Sequence, residues 1–189
     1  MIVGLLLIGM LALLILYAIL IYNRLVNLKH DTAKAWSNID VLLKQRHDEL
    51  PKLVETCRQY MKHERETLAK VMQARAGVFA ARESGDLPAL GAAEGRLRQG
   101  LLSLFATAEA YPELKANESF RNLEARITGL ENAIADRREF YNEVVNNNNV
   151  RIEQFPDIII ARWFGFKPFG LLEFSVEEKA DTDIRALFG

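Results

Sequence analysis

Residues 1–22 contain no Asp, Glu, Lys, Arg, Asn or Gln, and Leu, Ile, Val, Met and Ala fill nearly every position. At about 1.5 Å per residue this stretch makes a helix of roughly 33 Å, enough to cross a hydrocarbon core about 30 Å thick. Beyond it the apolar positions fall in steps of three and four: Leu25, Leu28, Thr32, Ala35, Trp36, Ile39, Leu42 and Leu43. That spacing predicts an amphipathic helix continuing from the apolar run without a Gly or Pro break. Pro51 disfavours helical geometry at Leu50, so the helix is expected either to end there or only to kink.

A second amphipathic run follows through Leu53, Val54, Cys57, Tyr60 and Met61, then Leu68, Val71, Met72 and Ala76. Ser84-Gly85-Asp86-Leu87-Pro88 reads as a turn. A loose helix, weakened by Gly91, Gly95 and Gly100, is predicted from about Pro88 to Ala110, with Tyr111-Pro112 closing it. Asn117-Glu118-Ser119 then opens the strongest periodic segment, about 117–154, with Phe120, Leu123, Ile127, Leu130, Ile134 and Tyr141 on one face. Period-two alternation of β-branched residues is absent, so the fold class predicted is all-α.

The apolar start is read as an uncleaved anchor. A signal peptide needs a basic start, a shorter apolar run and a small-residue cleavage site, whereas the exit here is Ile21-Tyr22-Asn23-Arg24-Leu25. Lipoprotein processing has no cysteine to use, since the single one is Cys57. Arg24, Lys29 and Lys34 follow the span and only the terminal amine precedes it. The positive-inside rule then favours an outside N-terminus and a cytoplasmic domain, with a periplasmic domain as the alternative. Tyr17 and Tyr22 suit an interfacial belt; Trp36, roughly 21 Å beyond Tyr22 along a helix, suits core packing instead.

Charge narrows the function. All 24 basic and 25 acidic residues lie after residue 23, which leaves the polar part near neutral and argues against a sequence-independent nucleic-acid binder. One cysteine excludes a disulfide framework and Cys-rich zinc sites. Cys57 lies on an apolar face and reads as a small buried hydrophobe. His30, His47 and His63 lack a second ligand at helical spacing, apart from neighbouring carboxylates. His63-Glu64-Arg65-Glu66-Thr67 has Thr67 where a metalloprotease motif needs its second histidine. Glu-x-x-His pairs, a Gly-Lys-Ser phosphate loop and a Gly-x-Ser-x-Gly elbow are all missing. No catalytic, metal or cofactor residue is assigned, and a non-enzymatic protein without cofactor is expected.

Several stretches resemble the LemA family. They are Ala-Trp-Ser-Asn-Ile-Asp-Val at 35–41, Leu-Pro-Lys-Leu-Val-Glu-Thr at 50–56, His63-Glu64 with Glu66-Thr67-Leu68, and Ala-Glu-Ala-Tyr-Pro-Glu-Leu-Lys-Ala-Asn at 108–117. Glu131-Asn132 with Ile134-Ala135, Arg138 with Tyr141-Asn142, and Phe155-Pro156 with Phe164-Gly165-Phe166-Lys167-Pro168 complete the likeness, which covers about residues 1–174. The resemblance implies a single-pass bacterial membrane protein with an antiparallel, up-and-down four-helix bundle, and it brings no reaction and no catalytic residues. One departure stands out: Asn148-Asn149, inside four consecutive asparagines at 146–149, replaces the family's second Tyr-Asn pair. A fraying helix end is the favoured reading of the four, and a polar layer between helices the alternative.

The expected organisation is a transmembrane helix at 1–22, a helical bundle at 23–156, an apolar aromatic segment at 157–174 and an acidic flexible tail at 175–189. The aromatic segment reads as a cap on the bundle, an interfacial anchor or a subunit contact. If Pro51 ends a helix, the segment returns to the bilayer; if Pro51 only kinks one, it lies far away. Residues expected to touch membrane or partner are Tyr17, Tyr22, Arg24, Lys29, Ile158, Ile159, Ile160, Trp163, Phe164, Phe166, Lys167 and Phe169. The leading expectation is a self-assembling scaffold or adaptor at the inner membrane, partnered by the lipid bilayer, by copies of itself and by other membrane proteins, but not by nucleic acid. A lipid-binding or membrane-remodelling role through residues 158–174 is the alternative, and an enzyme with an inter-helix site comes third.

Overall fold

The computed structural model describes residues 1–173, so the acidic tail and Phe174 lie outside the described residues. Every described element is a helix: α1 Ile2–Tyr60, α2 Arg65–Ser84, α3 Leu87–Ala108, α4 Pro112–Ala116, α5 Glu118–Glu153 and α6 Asp157–Trp163. In both long helices the buried positions recur every seven residues. Among them are the series Leu25, Thr32, Ile39, Arg46 and Leu53 in α1, and Phe120, Ile127, Ile134, Tyr141 and Asn148 in α5. A seven-residue repeat keeps one stripe of a long helix facing its neighbours.

The chain divides into two compact units. The first comprises Met1–Ile39 and Arg137–Leu171, that is, the N-terminal part of α1, the C-terminal part of α5, and α6. In it, residues 1–20 are exposed apart from a half-buried Ala18. This is the one helix, among the described residues, long and apolar enough to cross a membrane, and its most apolar window is wholly unburied. A core helix of a soluble domain would be covered. Trp36, expected in a core, is half-buried and packs against the Tyr141 ring with centroids 5.7 Å apart.

The second unit comprises Asp40–Asp136 with Leu172 onward. Here α2 packs on α3 across the turn predicted at 84–88. Gly85 takes the left-handed conformation at φ 68°, its N–H donating to the Arg82 carbonyl, and the Asp86 carboxylate caps α3 by accepting from the Ala89 N–H at 3.0 Å. The expected looseness of α3 is not seen, and Gly91 serves close packing. A Cβ on Gly91 would stand 2.6 Å from the Glu173 carbonyl oxygen, too close for any other residue without moving backbone. Tyr111-Pro112 does not close α3, which ends at Ala108; Pro112 opens the five-residue α4, where its lost N–H has no partner to miss. Asn117 starts α5 as expected, its side-chain oxygen accepting from the Phe120 N–H at 3.0 Å while its amide donates to the Tyr60 hydroxyl.

Pro51 neither ends α1 nor pushes Leu50 out of it. Proline in a helix deprives the carbonyl four residues earlier of its donor. That carbonyl belongs to His47, and the Arg75 Nε of α2 donates to it at 2.8 Å. The same guanidinium donates from Nη2 to His47 Nε2 at 2.6 Å, so the imidazole is neutral with its proton on Nδ1. Replacing Arg75 by methionine is expected to lower stability by about 1.5–3 kcal/mol, the range for a hydrogen bond from a charged donor. The loss should shrink in a Pro51→Ala background, where the backbone N–H regained at that position can serve the carbonyl. Equal losses in denaturant titrations of both backgrounds would refute this role for Arg75.

Burial, and next the Arg75 charge, hold the His47 pKa below its ordinary 6.5. The unfolded chain therefore binds this proton more readily than the folded one, and stability rises with pH below 6.5 and levels off above it. Urea midpoints should fall as pH drops from 6.5 towards 5, and His47→Gln, which can still accept from Arg75, should flatten that slope.

Cys57 is fully buried, as expected, and burial followed by the Glu124 charge pushes its thiol up to about 12. A neutral, covered thiol is a poor nucleophile. A disulfide-exchange reagent should label it in urea and leave the native protein unlabelled for hours.

Candidate functional site

The first unit places the apolar aromatic segment beside the stretch of α1 that follows the exposed run. Ile21, Leu25, Ile152 and Ala161 form a small buried cluster, against which Ile160 and Phe166 are packed. The Tyr22 ring meets the Phe164 ring at 4.7 Å and the Phe166 ring at 5.9 Å, tilted and edge-on respectively. Both are favoured aromatic geometries. A continuous helix through Pro51 therefore does not carry the segment away from the span, contrary to expectation. The long α5 ends in this unit and delivers α6 to residues 21–25.

What holds the segment is a set of polar contacts from α5. The asparagines do not fray: α5 runs on to Glu153, and Asn148 is buried. The Asn149 amide donates from Nδ2 to the Phe169 carbonyl at 2.9 Å and accepts from the Phe169 N–H on Oδ1 at 2.9 Å. A primary amide presents the same donor and acceptor pair as a peptide group, so it binds extended backbone as a neighbouring strand would. The Tyr141 hydroxyl donates to the Gly170 carbonyl at 3.0 Å, and burial raises its pKa, keeping the donor proton in place. Arg151 pairs with the buried Asp157 at the start of α6. Gly165 takes φ 71° in the turn after α6, and the Phe166 N–H donates back to the Ala161 carbonyl.

Between α1 and the segment lies a cleft of about 530 Å³. Tyr22, Val26, Lys29 and His30 line it from α1, Asn148 from α5, and the chain from Phe164 to Phe169 from the far side. Of the twelve residues expected at a membrane or partner contact, Tyr22, Lys29, Phe164, Phe166, Lys167 and Phe169 are thus brought together. Ile160 joins the buried cluster and Ile158 is half-buried. Tyr17, Arg24, Ile159 and Trp163 are exposed outside the cleft, with Trp163 at 81% of its full accessibility. Sequence reasoning missed Val26, His30, Asn148, Asn149 and Tyr141 as parts of this site. By sequence His30 reads only as a histidine without a second metal ligand, and Tyr141 as one position on the apolar face of its helix. The polar-layer reading of the asparagines held the needed signal, since an amide seven residues after Tyr141 falls on the same helix stripe.

Among the described residues no group of three His, Cys, Asp or Glu stands close enough to hold a metal ion. The sequence profile of the LemA family matches residues 35–186. This chain belongs to the LemA family. Two magnetosome proteins of Paramagnetospirillum magneticum, MamQ 1 and MamQ 2, are each 26% identical to it over 169 residues. Each alignment covers 77% of this chain and 62% of the relative, so the chain spans less than two thirds of their length. The LemA match includes both the asparagine clamp and the aromatic segment, together with α2 and α3.

Proposed function

We propose that this LemA-family protein is a membrane-anchored, non-enzymatic scaffold or adaptor that self-assembles at the inner membrane of a bacterium. In this reading residues 1–22 cross the bilayer with the N-terminus outside, and the helical domain is a cytoplasmic, antiparallel up-and-down four-helix bundle. The observation that carries the proposal is the exposed apolar rim of the aromatic segment. Phe155, Ile159, Trp163, Phe164 and Leu171 stay open to solvent although the segment is tied down by Asn149, Tyr141 and Arg151. A surface of that kind, held rigid, suits contact with another protein. The two relatives are named for a cellular structure rather than for a reaction.

The mass of the full-length protein in mild detergent, by light scattering corrected for bound detergent, tests the assembly. A discrete multiple of 21.5 kDa is expected. Trp163→Ser with Phe164→Ser should lower it towards the monomer while leaving helicity unchanged. A wild-type monomer across the accessible concentration range would remove self-assembly. The lipid-binding alternative draws on the basic side chains beside the aromatic rings of the cleft.

A further inference from the structure

We propose that the cleft between Tyr22 and Lys167 binds the headgroup of an anionic phospholipid from the bilayer that the anchor spans. This rests on the anchor reading and not on self-assembly. Lys29, His30 and Lys167 converge on the cleft, and its lining contains no acidic residue. Neither lysine makes an ion pair or hydrogen bond with another described residue, and both are exposed. The buried carboxylate nearby, Asp157, is committed to Arg151. The site therefore presents uncompensated positive charge around a polar floor, the buried Asn148.

Position selects a lipid as the source of the anion. Lys29 lies eight residues beyond Ile21, about 12 Å along the helix, and headgroups extend roughly 5–7 Å past the hydrocarbon core. A lysine side chain lying back along the helix bridges the difference. The aromatic wall, Tyr22 with Phe164 and Phe166, stands where rings favour the boundary between acyl chains and headgroups. The cleft volume also falls within the range of small-molecule sites, about 300–1,000 Å³. A free soluble phosphate would need none of these aromatic neighbours.

Full-length protein in nanodiscs of phosphatidylcholine, or of equal parts phosphatidylcholine and phosphatidylglycerol, supplies the test. The lipids retained after mild detergent release are counted by native mass spectrometry. Wild type should retain phosphatidylglycerol preferentially. Lys29→Gln with Lys167→Gln should cut that preference about tenfold, ~1.4 kcal/mol, a scale in keeping with lysines at an anionic surface. Lys44→Gln with Lys62→Gln, the same charge change in the other unit, should leave it intact. An equal loss in both double variants, or none in either, would overturn the site. So would glycerol phosphate in solution competing as well as the lipid. Failure to enter either disc would remove the anchor and the site together, whereas entry without lipid preference would remove the site alone. The same spectra report subunit number, so the scaffold reading stands or falls separately.

Discussion

Replacing Arg46 with methionine is expected to be the most damaging single substitution in the protein, costing about 3–5 kcal/mol, the range for removing one partner of a buried ion pair. Arg46 sits in α1 at 1% exposure. Its Nη2 donates to Glu94 Oε1 of α3 at 2.5 Å and its Nη1 to Glu131 Oε1 of α5 at 2.6 Å. Burial opposes the guanidinium charge, but the two carboxylates outweigh it and hold its pKa above the ordinary arginine value. Methionine fills much of the volume and takes from the buried Glu94 carboxylate the counter-ion and donor that Arg46 supplies. Such a group is forced to take up a proton or to draw in water. The damage should therefore be largest at neutral pH and shrink in acid. Arg46→Met with Glu94→Leu removes the two most buried charges of the three and should recover most of the loss, because an apolar replacement of a buried pair is often neutral or stabilising and the part-exposed Glu131 can turn to water. Denaturant titrations of the two variants decide it. If the single variant unfolded at the wild-type midpoint, the triad would have no structural role.

The second large effect is expected at Asn149. Asn149→Leu leaves the Phe169 N–H and carbonyl without their partner, and groups of this kind cost about 1–3 kcal/mol each when buried and unsatisfied. The backbone around 169 can escape the penalty by leaving α5 for water. Local opening is thus the expected outcome, in place of global unfolding. Amide exchange at Phe169 should quicken by about a hundredfold, ~2.7 kcal/mol, while the amides of α2 and α3 keep their rates. The cleft should lose its far wall at the same time, because Lys167 lies two residues from the clamp. Asn149→Gln offers the same amide one methylene further out and should restore the protection in part. Unchanged exchange at Phe169 in the leucine variant would mean that the Tyr141 and Arg151 contacts suffice alone.

Much of the architecture was legible from the chain. An unbroken apolar run, three-and-four spacing and recognisable turn residues are local properties, and local properties settle helix type. So the anchor helix, the 84–88 turn, the Asn117 start and the burial of Cys57 could all be read from residues near one another in sequence. Pro51 could not. Its local effect is to break a helix, and what cancels that effect is Arg75, far along the chain on another helix. The asparagine run failed for the same reason. Read locally, four asparagines compete with the helix; in the fold, Asn149 meets the Phe169 backbone, and the helix survives because one amide finds a better partner than its own chain.

The candidate site divides along that line. Its aromatic and basic members were visible as composition, since Tyr22, Lys29, Phe164, Phe166 and Lys167 stand out in any reading of charge and hydropathy. Their convergence was not, because residues 22–30 and 164–169 are joined only through the length of the intervening helices. The helix long and apolar enough to cross a membrane was therefore a property of the sequence, carried by twenty-odd apolar side chains in a row. The cleft, the clamp that shapes it and the buried Arg46 triad belong to the tertiary structure alone, since hydrogen bonds and ion pairs need partners that only folding brings within about 3 Å of one another.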